Sequence, residues 1–235
     1  MTTPAPTELM TLGRLHIPDE RDHQFLISAM PPAQTSGLTH RYWWANGWWG
    51  NQGNLPHCVA FSWMHWVEDG PTTHSKTRTA GSGPLYVPSV IYDAAQQVDQ
   101  WPGTDYEGTS VRAGAKVLRA KGVIQEYRWA FDVNTVIDAL LHRGPVVVGT
   151  WWHQDMFWPK WDSKRGKSIV SATGAKVGGH AYLLNGVSTN LGLVRIKNSW
   201  GRNWGQRGHA WISFAHLDQL IRDGGEACLA VEIET

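Results

Sequence analysis

Residues 198–205 read NSWGRNWG, and they follow an apolar strand pattern at residues 193–197. A second strand pattern, residues 180–187, opens on His180 directly after two glycines. If the two strands pair as a hairpin, His180 and Asn198 lie close together at one end of it. An asparagine amide oxygen accepts a hydrogen bond from an imidazole and fixes its tautomer. The stretch therefore predicts a histidine that is held in one orientation.

Cys58 is the candidate nucleophile for such a histidine. It follows a loop that contains Gly53 and Pro56, and it opens an apolar helix pattern. A helix N-terminus favours negative charge, so a thiol there loses its proton more easily, and the thiolate is the reactive form. Taken alone, Cys58 is better explained as a buried, inert thiol. A thiol with a base and a group that orients the base has the parts of nucleophilic catalysis.

Three segments resemble those of the papain-like cysteine peptidases. Residues 52–61 read QGNLPHCVAF, which keeps the family's interval of six between a glutamine and the nucleophile. Residues 179–181 read GHA and resemble the histidine motif, and residues 198–205 are close to the asparagine motif. The resemblance covers about residues 40–233 and looks like that of short bacterial or phage-encoded members.

The resemblance implies a role for each residue of the site. Cys58 attacks the substrate carbonyl carbon, and His180 forms an ion pair with it and later protonates the leaving amine. Asn198 orients His180. The Gln52 side chain and the Cys58 backbone N–H stabilise the oxyanion. Trp200 covers the hydrogen bond between His180 and Asn198 and keeps water from it.

The loop before the nucleophile departs from the family's pattern. Leu55 replaces the family's disulfide cysteine, Pro56 and His57 replace Gly-Ser, and Val59 replaces an aromatic residue. Side chains around the thiol therefore differ from those of the family, and His57 is interpreted as a loop residue that tunes the site. Neither the usual glycine-rich substrate strand nor a typical inhibitory prosegment is recognisable in the sequence.

The order of the patterns predicts an α+β protein with two lobes. Helix patterns occupy residues 58–69, 86–98, 109–121 and 134–142, with a Gly-, Thr- and Ser-rich loop at residues 71–84. Strand patterns follow at residues 145–150, 180–187, 193–198, 209–214 and 228–233, with a short helix at residues 215–222. Helices that precede strands do not fit an alternating parallel sheet.

The resemblance to the papain-like family, applied to this order of helices and strands, predicts how the chain is divided into lobes. A helical N-terminal lobe is expected at about residues 50–144 and an antiparallel β-sheet or barrel lobe at about residues 145–235, with the active-site cleft between them. Residues 1–40 are predicted to form an arm that wraps the surface. Residues 41–235 are predicted to form the catalytic domain.

Composition excludes several classes of protein. The 235 residues include 21 basic and 20 acidic ones, so neither nucleic acid nor a membrane is the expected partner. Two cysteines exclude a disulfide framework and fit a reducing compartment. The N-terminus has no basic and apolar regions of a secretory signal. The expected location is the cytoplasm, or release or packaging that needs no signal peptide.

The remaining chemistry-bearing residues receive structural interpretations. The histidines lack metal-ligand spacing, so neither a metal nor a cofactor is predicted. Cys228 is interpreted as a small buried strand residue. Two tryptophan clusters are assigned to core and lobe packing in preference to a groove for a glycan or aromatic peptide, the first of them flanking a turn signal at Asn46 and Gly47. Their members are Trp43, Trp44, Trp48, Trp49, Trp151, Trp152, Trp158 and Trp161.

The predicted function is a cysteine endopeptidase that hydrolyses peptide bonds through a thioester acyl-enzyme. Its partner is a peptide or protein substrate, with an assembly partner in a larger particle as a further candidate. Two alternatives stay open: an amidase or transpeptidase that acts on cell-wall peptides, and a virion-type structural component that keeps the fold with little activity. The presence of Cys58, His180, Asn198 and Gln52 together argues against the structural alternative.

Overall fold

The structure is a computed structural model that describes residues 10–31, 37–44, 47–70, 83–103 and 105–232. Parts of four predictions lie outside these ranges. They are residues 1–9 and 32–36 of the arm, Asn46 of the turn signal, residues 71–82 of the loop, and residues 233–235 at the end of the last strand and of the catalytic domain. Among the described residues, no helix has both the length and the apolar character needed to cross a membrane.

Helices and strands alternate little along the chain. The helices of the described ranges are α1 (Cys58–Asp69), α2 (Pro88–Val98), α3 (Val111–Ala120), α4 (Val133–His142) and α5 (Phe214–Arg222). The strands are β1 (His40–Tyr42), β2 (Ile124–Ala130), β3 (Val146–His153), β4 (Lys160–Asp162), β5 (Lys167–Val170), β6 (Lys176–Ser188), β7 (Leu193–Lys197), β8 (His209–Ser213) and β9 (Glu226–Glu232). Short 3-10 helices lie at Glu20–Gln24, Ile27–Ala29 and Gln154–Phe157.

Side-chain caps begin three of the helices at the places where the sequence changes pattern. The Ser110 hydroxyl accepts from the Ala113 N–H at the start of α3, at 3.2 Å. The Asp132 carboxylate accepts from the Thr135 N–H at the start of α4, at 2.8 Å. Ser213 caps α5 in the same way. Each cap satisfies a backbone N–H that the first helical turn leaves free.

One sheet runs through the molecule in the order β2-β9-β3-β6-β7-β8-β5-β4, and β1 adds to β6. Its pairs are antiparallel except for β5 with β8. The predicted antiparallel sheet is therefore confirmed with one exception. The barrel form of that prediction is wrong for the described residues, because β2 and β4 end the sheet at opposite edges and do not pair.

Two cores pack on opposite faces of this sheet. Along β3, Val147 faces the core of α1, α2 and α3, whereas Val146 and Val148 face the core of α4 and α5. This alternation follows from the two-residue period of a strand. The last helix of the first core is therefore α3, and α4 belongs to the second core. The change from one core to the other thus falls between α3 and α4, before residue 144, the predicted end of the helical lobe.

Candidate active site

Cys58 is the first residue of α1, and its side chain is fully buried. Its Sγ accepts a hydrogen bond from the Ala181 N–H at 3.4 Å, which holds the sulfur beside β6. Burial raises the pKa of the Cys58 thiol to about 11, and backbone amides, including that of Gly13, offset only part of this effect. The expected ease of ionisation at the helix N-terminus is therefore not met in this arrangement, because desolvation of the charge is the larger effect.

His180 and Asn198 lie together at the end of the β6–β7 hairpin, as the sequence predicted. His180 Nε2 is 2.8 Å from Asn198 Oδ1, and the same oxygen accepts from the Ser199 N–H at 2.8 Å. Because an amide oxygen only accepts, Nε2 carries the ring proton and Nδ1 keeps a lone pair. Among the described residues, Nδ1 has no hydrogen-bond partner. Its lone pair is therefore free to accept a proton.

Aromatic rings enclose the histidine. The Trp200 ring stacks on the His180 ring with 4.6 Å between centroids, and the Trp152 ring meets it edge-on at 4.8 Å. Phe157 stacks in turn on Trp200 at 5.5 Å. Trp200 thus lies where the resemblance placed it, against His180. Trp152, from β3, completes the enclosure and was assigned only to packing from the sequence.

The unfolding free energy should fall as the pH drops from 7 to 5, in part because of His180. Burial lowers the pKa of His180 to about 4 from its ordinary 6.5. A group with a lowered folded-state pKa stabilises the fold above its unfolded pKa, and this contribution is lost as the pH falls from 6.5 to about 4. Chemical denaturation of wild type and His180→Gln at both pH values measures it. The wild type should lose about 2 kcal/mol more than the variant, and equal losses would contradict the assignment.

Gln52 lies next to the nucleophile with its amide held in one orientation. Its Nε2 donates to the carbonyl oxygens of Thr11, at 2.9 Å, and of Leu55, at 2.7 Å. Its Oε1 accepts from the Ser199 hydroxyl. The Gln52 amide, which is the predicted donor to the oxyanion, is therefore already hydrogen-bonded to backbone carbonyl oxygens. Thr11 belongs to residues 10–15, which we call the cleft segment.

The cleft segment is bound as an extended peptide through its backbone. The N–H groups of Gly13 and Arg14 donate to the Gly179 carbonyl at 3.1 and 3.0 Å. The Thr109 N–H donates to the Gly13 carbonyl at 3.0 Å, and the Leu15 N–H donates to the Thr109 carbonyl at 2.9 Å. The segment therefore joins a residue that precedes His180 to a residue that precedes α3, across the two cores.

Two glycines in the cleft walls make room for this backbone. A Cβ on Gly179 would lie 2.1 Å from the Arg14 carbonyl oxygen, and one on Gly108 would lie 2.5 Å from the Gly13 carbonyl oxygen. Both distances are far below van der Waals contact. The arm predicted to wrap the surface at residues 1–40 thus enters the cleft at the cleft segment. No local sequence pattern indicates this position.

Arg14 and Glu226 were also missed from the sequence. The Arg14 side chain is buried, and its Nε and Nη2 donate to Glu226 Oε2 at 3.0 and 2.8 Å. Nη2 also donates to the Gly224 carbonyl at 2.9 Å. The two residues stand 212 positions apart, and Glu226 begins β9, two positions before the predicted strand. No local sequence pattern links them.

The residues that depart from the family's pattern take different positions. Leu55 is exposed, whereas Val59 lies in the core of α1. The ring of His57 lies 4.0 Å from the ring of Tyr92, whose hydroxyl accepts from the Gly108 N–H at 2.8 Å. His57 is therefore linked through Tyr92 to a wall of the cleft.

Cys228 is buried in the core that also contains Cys58, and the tryptophans of the two clusters range from buried to exposed. Cys228 is fully buried in β9, and burial raises the pKa of its thiol. Trp44 and Trp161 are exposed, which packing alone does not explain. Trp44 lies on a surface formed with His209, beneath the Arg195 guanidinium at 4.9 Å.

Solved cysteine proteases share this architecture. Xylellain, a cysteine protease from Xylella fastidiosa, is 18% identical with a TM-score of 0.65, and the match covers 100% of both chains. Procathepsin L2 from the larval midgut of Tenebrio molitor is 18% identical with a TM-score of 0.62, over 97% of this chain and 80% of that one. Procathepsin L 3 from the same tissue is 16% identical with a TM-score of 0.62, over 86% of this chain and 73% of that one.

No protein-family model and no curated protein sequence matches the chain. The comparisons therefore rest on three-dimensional structure, and they confirm the predicted two-lobed, papain-like α+β fold.

Proposed function

We propose that this chain is a papain-like cysteine endopeptidase that hydrolyses peptide bonds through a thioester acyl-enzyme. One observation carries the proposal: an extended peptide, the cleft segment, lies across Cys58 with a carbonyl oxygen on Gln52. The cleft is thus shaped for a polypeptide backbone. It also offers a side-chain donor to a carbonyl beside a cysteine, which is the arrangement that acyl transfer requires.

In the acylation step, His180 Nδ1 takes the thiol proton and Cys58 Sγ attacks the scissile carbonyl carbon. The carbonyl oxygen becomes an oxyanion, stabilised by Gln52 Nε2 and the Cys58 backbone N–H. As the tetrahedral intermediate collapses, the C–N bond breaks and His180 gives its proton to the leaving amine. The product is a thioester between Cys58 and the N-terminal part of the substrate.

In the deacylation step, a water molecule gives a proton to His180 and attacks the thioester carbonyl. The C–S bond then breaks, the carboxylic acid leaves, and the thiol of Cys58 regains its proton. Asn198 keeps the His180 ring in one tautomer through both steps. Trp200 excludes water from the hydrogen bond between these two residues.

The cleft segment must leave before a substrate can bind, because both would use Gln52 and Gly179. Its departure also changes the chemistry of the nucleophile. Water then reaches Cys58 and His180, which reduces the desolvation that holds both side chains neutral. The thiolate–imidazolium pair is therefore a property of the open cleft, and only the fraction of chains whose cleft has opened is active.

The proposal is tested by comparing the wild type with Cys58→Ala and Cys228→Ala on a denatured protein substrate. Mass spectrometry of the products identifies new peptide termini. We expect wild type and Cys228→Ala to generate the same internal cleavages, and Cys58→Ala to generate none. Internal cleavage by Cys58→Ala would overturn the proposal. So would a wild type that cleaves cell-wall peptides and leaves the protein substrate intact.

A further inference from the structure

The pocket that holds the Arg14 side chain opens directly from the cleft. Its walls include Val111, at the start of α3, and Gly149 in β3. A Cβ on Gly149 would lie 2.9 Å from Arg14 Nε and 2.8 Å from Val111 Cγ2, so the glycine leaves the space that the guanidinium fills. The Glu226 carboxylate closes the inner end. Gly13, the neighbour of Arg14, lies against the nucleophile.

Among the described residues, Arg14 is the cation that forms an ion pair with the Glu226 carboxylate. Arg112 is electrostatically close, but its guanidinium donates to the Asp22 carboxylate and to the Ile17 carbonyl. Removing Arg14 from the pocket therefore leaves a buried carboxylate without a partner. A buried charge whose partner is removed is strongly destabilising, so any group that restores a positive charge there is favoured.

The hydrogen-bonding capacity of the pocket is not exhausted by Arg14. Both bonds from Arg14 converge on Glu226 Oε2. Among the described residues, Glu226 Oε1 and Arg14 Nη1 have no partner. A guanidinium that enters at a different angle can therefore use both carboxylate oxygens, which is the stronger, bidentate arrangement.

We propose that, once the cleft segment has left, this pocket accepts an arginine or lysine side chain of the substrate, so that the enzyme prefers a basic residue close to the scissile bond. The inference rests on the proposed peptidase function and adds its substrate class. An apolar side chain would leave Glu226 buried and unpaired, and an acidic one would place two like charges together. Arg14 is the intramolecular occupant of the same pocket.

The experiment measures labelling of Cys58 by dipeptidyl epoxides in the full-length Arg14→Ala chain, in which the pocket has lost its occupant. The epoxides carry arginine, norleucine, alanine or glutamate at each of the two positions nearest the reactive group. Mass spectrometry locates the label. The comparison chains add Glu226→Gln, Gly149→Ala or Asp218→Asn to Arg14→Ala. Asp218 forms a surface pair with Arg222 and serves as the matched control.

We expect the arginine probe to label Cys58 about 10- to 100-fold faster than the norleucine probe at one of the two positions. Glu226→Gln should reduce this ratio to within about threefold of unity, and Asp218→Asn should leave it unchanged. Gly149→Ala retains the carboxylate but narrows the pocket, so it should slow the arginine probe more than an alanine probe. The Gly149→Ala variant therefore still tests the inference if Glu226→Gln does not fold.

A norleucine or glutamate preference, or an arginine preference that survives both pocket variants, would overturn the inference while Cys58 remains reactive. Failure of every probe to label Cys58 would overturn the proposed function, and this inference with it. The two failures are therefore distinguished by whether Cys58 carries a label.

Discussion

Replacing His180 with alanine is expected to lower kcat/KM for a peptide substrate at least about 1,000-fold. The variant lacks both the base that takes the thiol proton and the acid that protonates the leaving amine. His57, the neighbour of Cys58 in sequence, packs its ring against that of Tyr92, with 4.0 Å between centroids. Steady-state kinetics in the Arg14→Ala background, where the cleft is open, gives the cleanest comparison.

Two further variants control this prediction. Asn198→Ala should retain roughly tenfold more activity than His180→Ala, because it removes the group that orients the base but keeps the base itself. His40→Ala, at an exposed strand position, should behave as the wild type. Thermal unfolding of each variant checks that the ring enclosure around His180 survives. Activity of His180→Ala within tenfold of the wild type would contradict its role.

Replacing Arg14 with alanine should increase the rate at which a thiol reagent labels Cys58 by about 100- to 1,000-fold. The substitution leaves Glu226 buried without a partner while the cleft segment is bound. Breaking such a pair costs about 3–5 kcal/mol, and the protein avoids that cost by releasing the segment. The population with an open cleft rises accordingly. Release also lets water reach Cys58, which lowers the pKa of its thiol.

The surface pair between Arg21 and Asp19 provides the matched control, since Arg21→Ala removes the same side chain from the same arm. That variant should label at the wild-type rate. Arg14→Lys keeps the positive charge but loses the forked guanidinium group. Its labelling rate should lie between those of Arg14→Ala and the wild type. A labelling rate in Arg14→Ala equal to that of the wild type would show that the cleft segment does not limit access to Cys58.

The hairpin that joins His180 to Asn198 could be predicted because its signals are local. Each strand is an apolar run, and each catalytic candidate stands at the end of one. The start of α1 at Cys58 was predicted for the same reason. Strand β2, with the sequence IQEYRWA, was not predicted, because its polar residues obscure the two-residue alternation of apolar side chains. Its pairing with β9 defines it, and that partner lies about a hundred residues away.

The occupied cleft could not be predicted, because every contact that creates it is distant in sequence. The pairing of Gly13 with Gly179 and of Arg14 with Glu226 follows from the folded walls and from no local pattern. The raised pKa of the Cys58 thiol could not be predicted from neighbouring residues for the same reason. Its position at a helix N-terminus is visible in the sequence, whereas the burial that outweighs the helix dipole depends on the cleft segment and on β6.

The most direct test is to trap the acyl-enzyme in the Arg14→Ala chain. An arginine-containing peptide ester is added, the reaction is stopped in acid, and the acylated residue is identified by mass spectrometry. We expect one acyl group per chain, on Cys58, with none on Cys228 and none in Cys58→Ala. Ester turnover with the acyl group on another residue, or unchanged turnover in Cys58→Ala, would contradict the role of Cys58 as nucleophile.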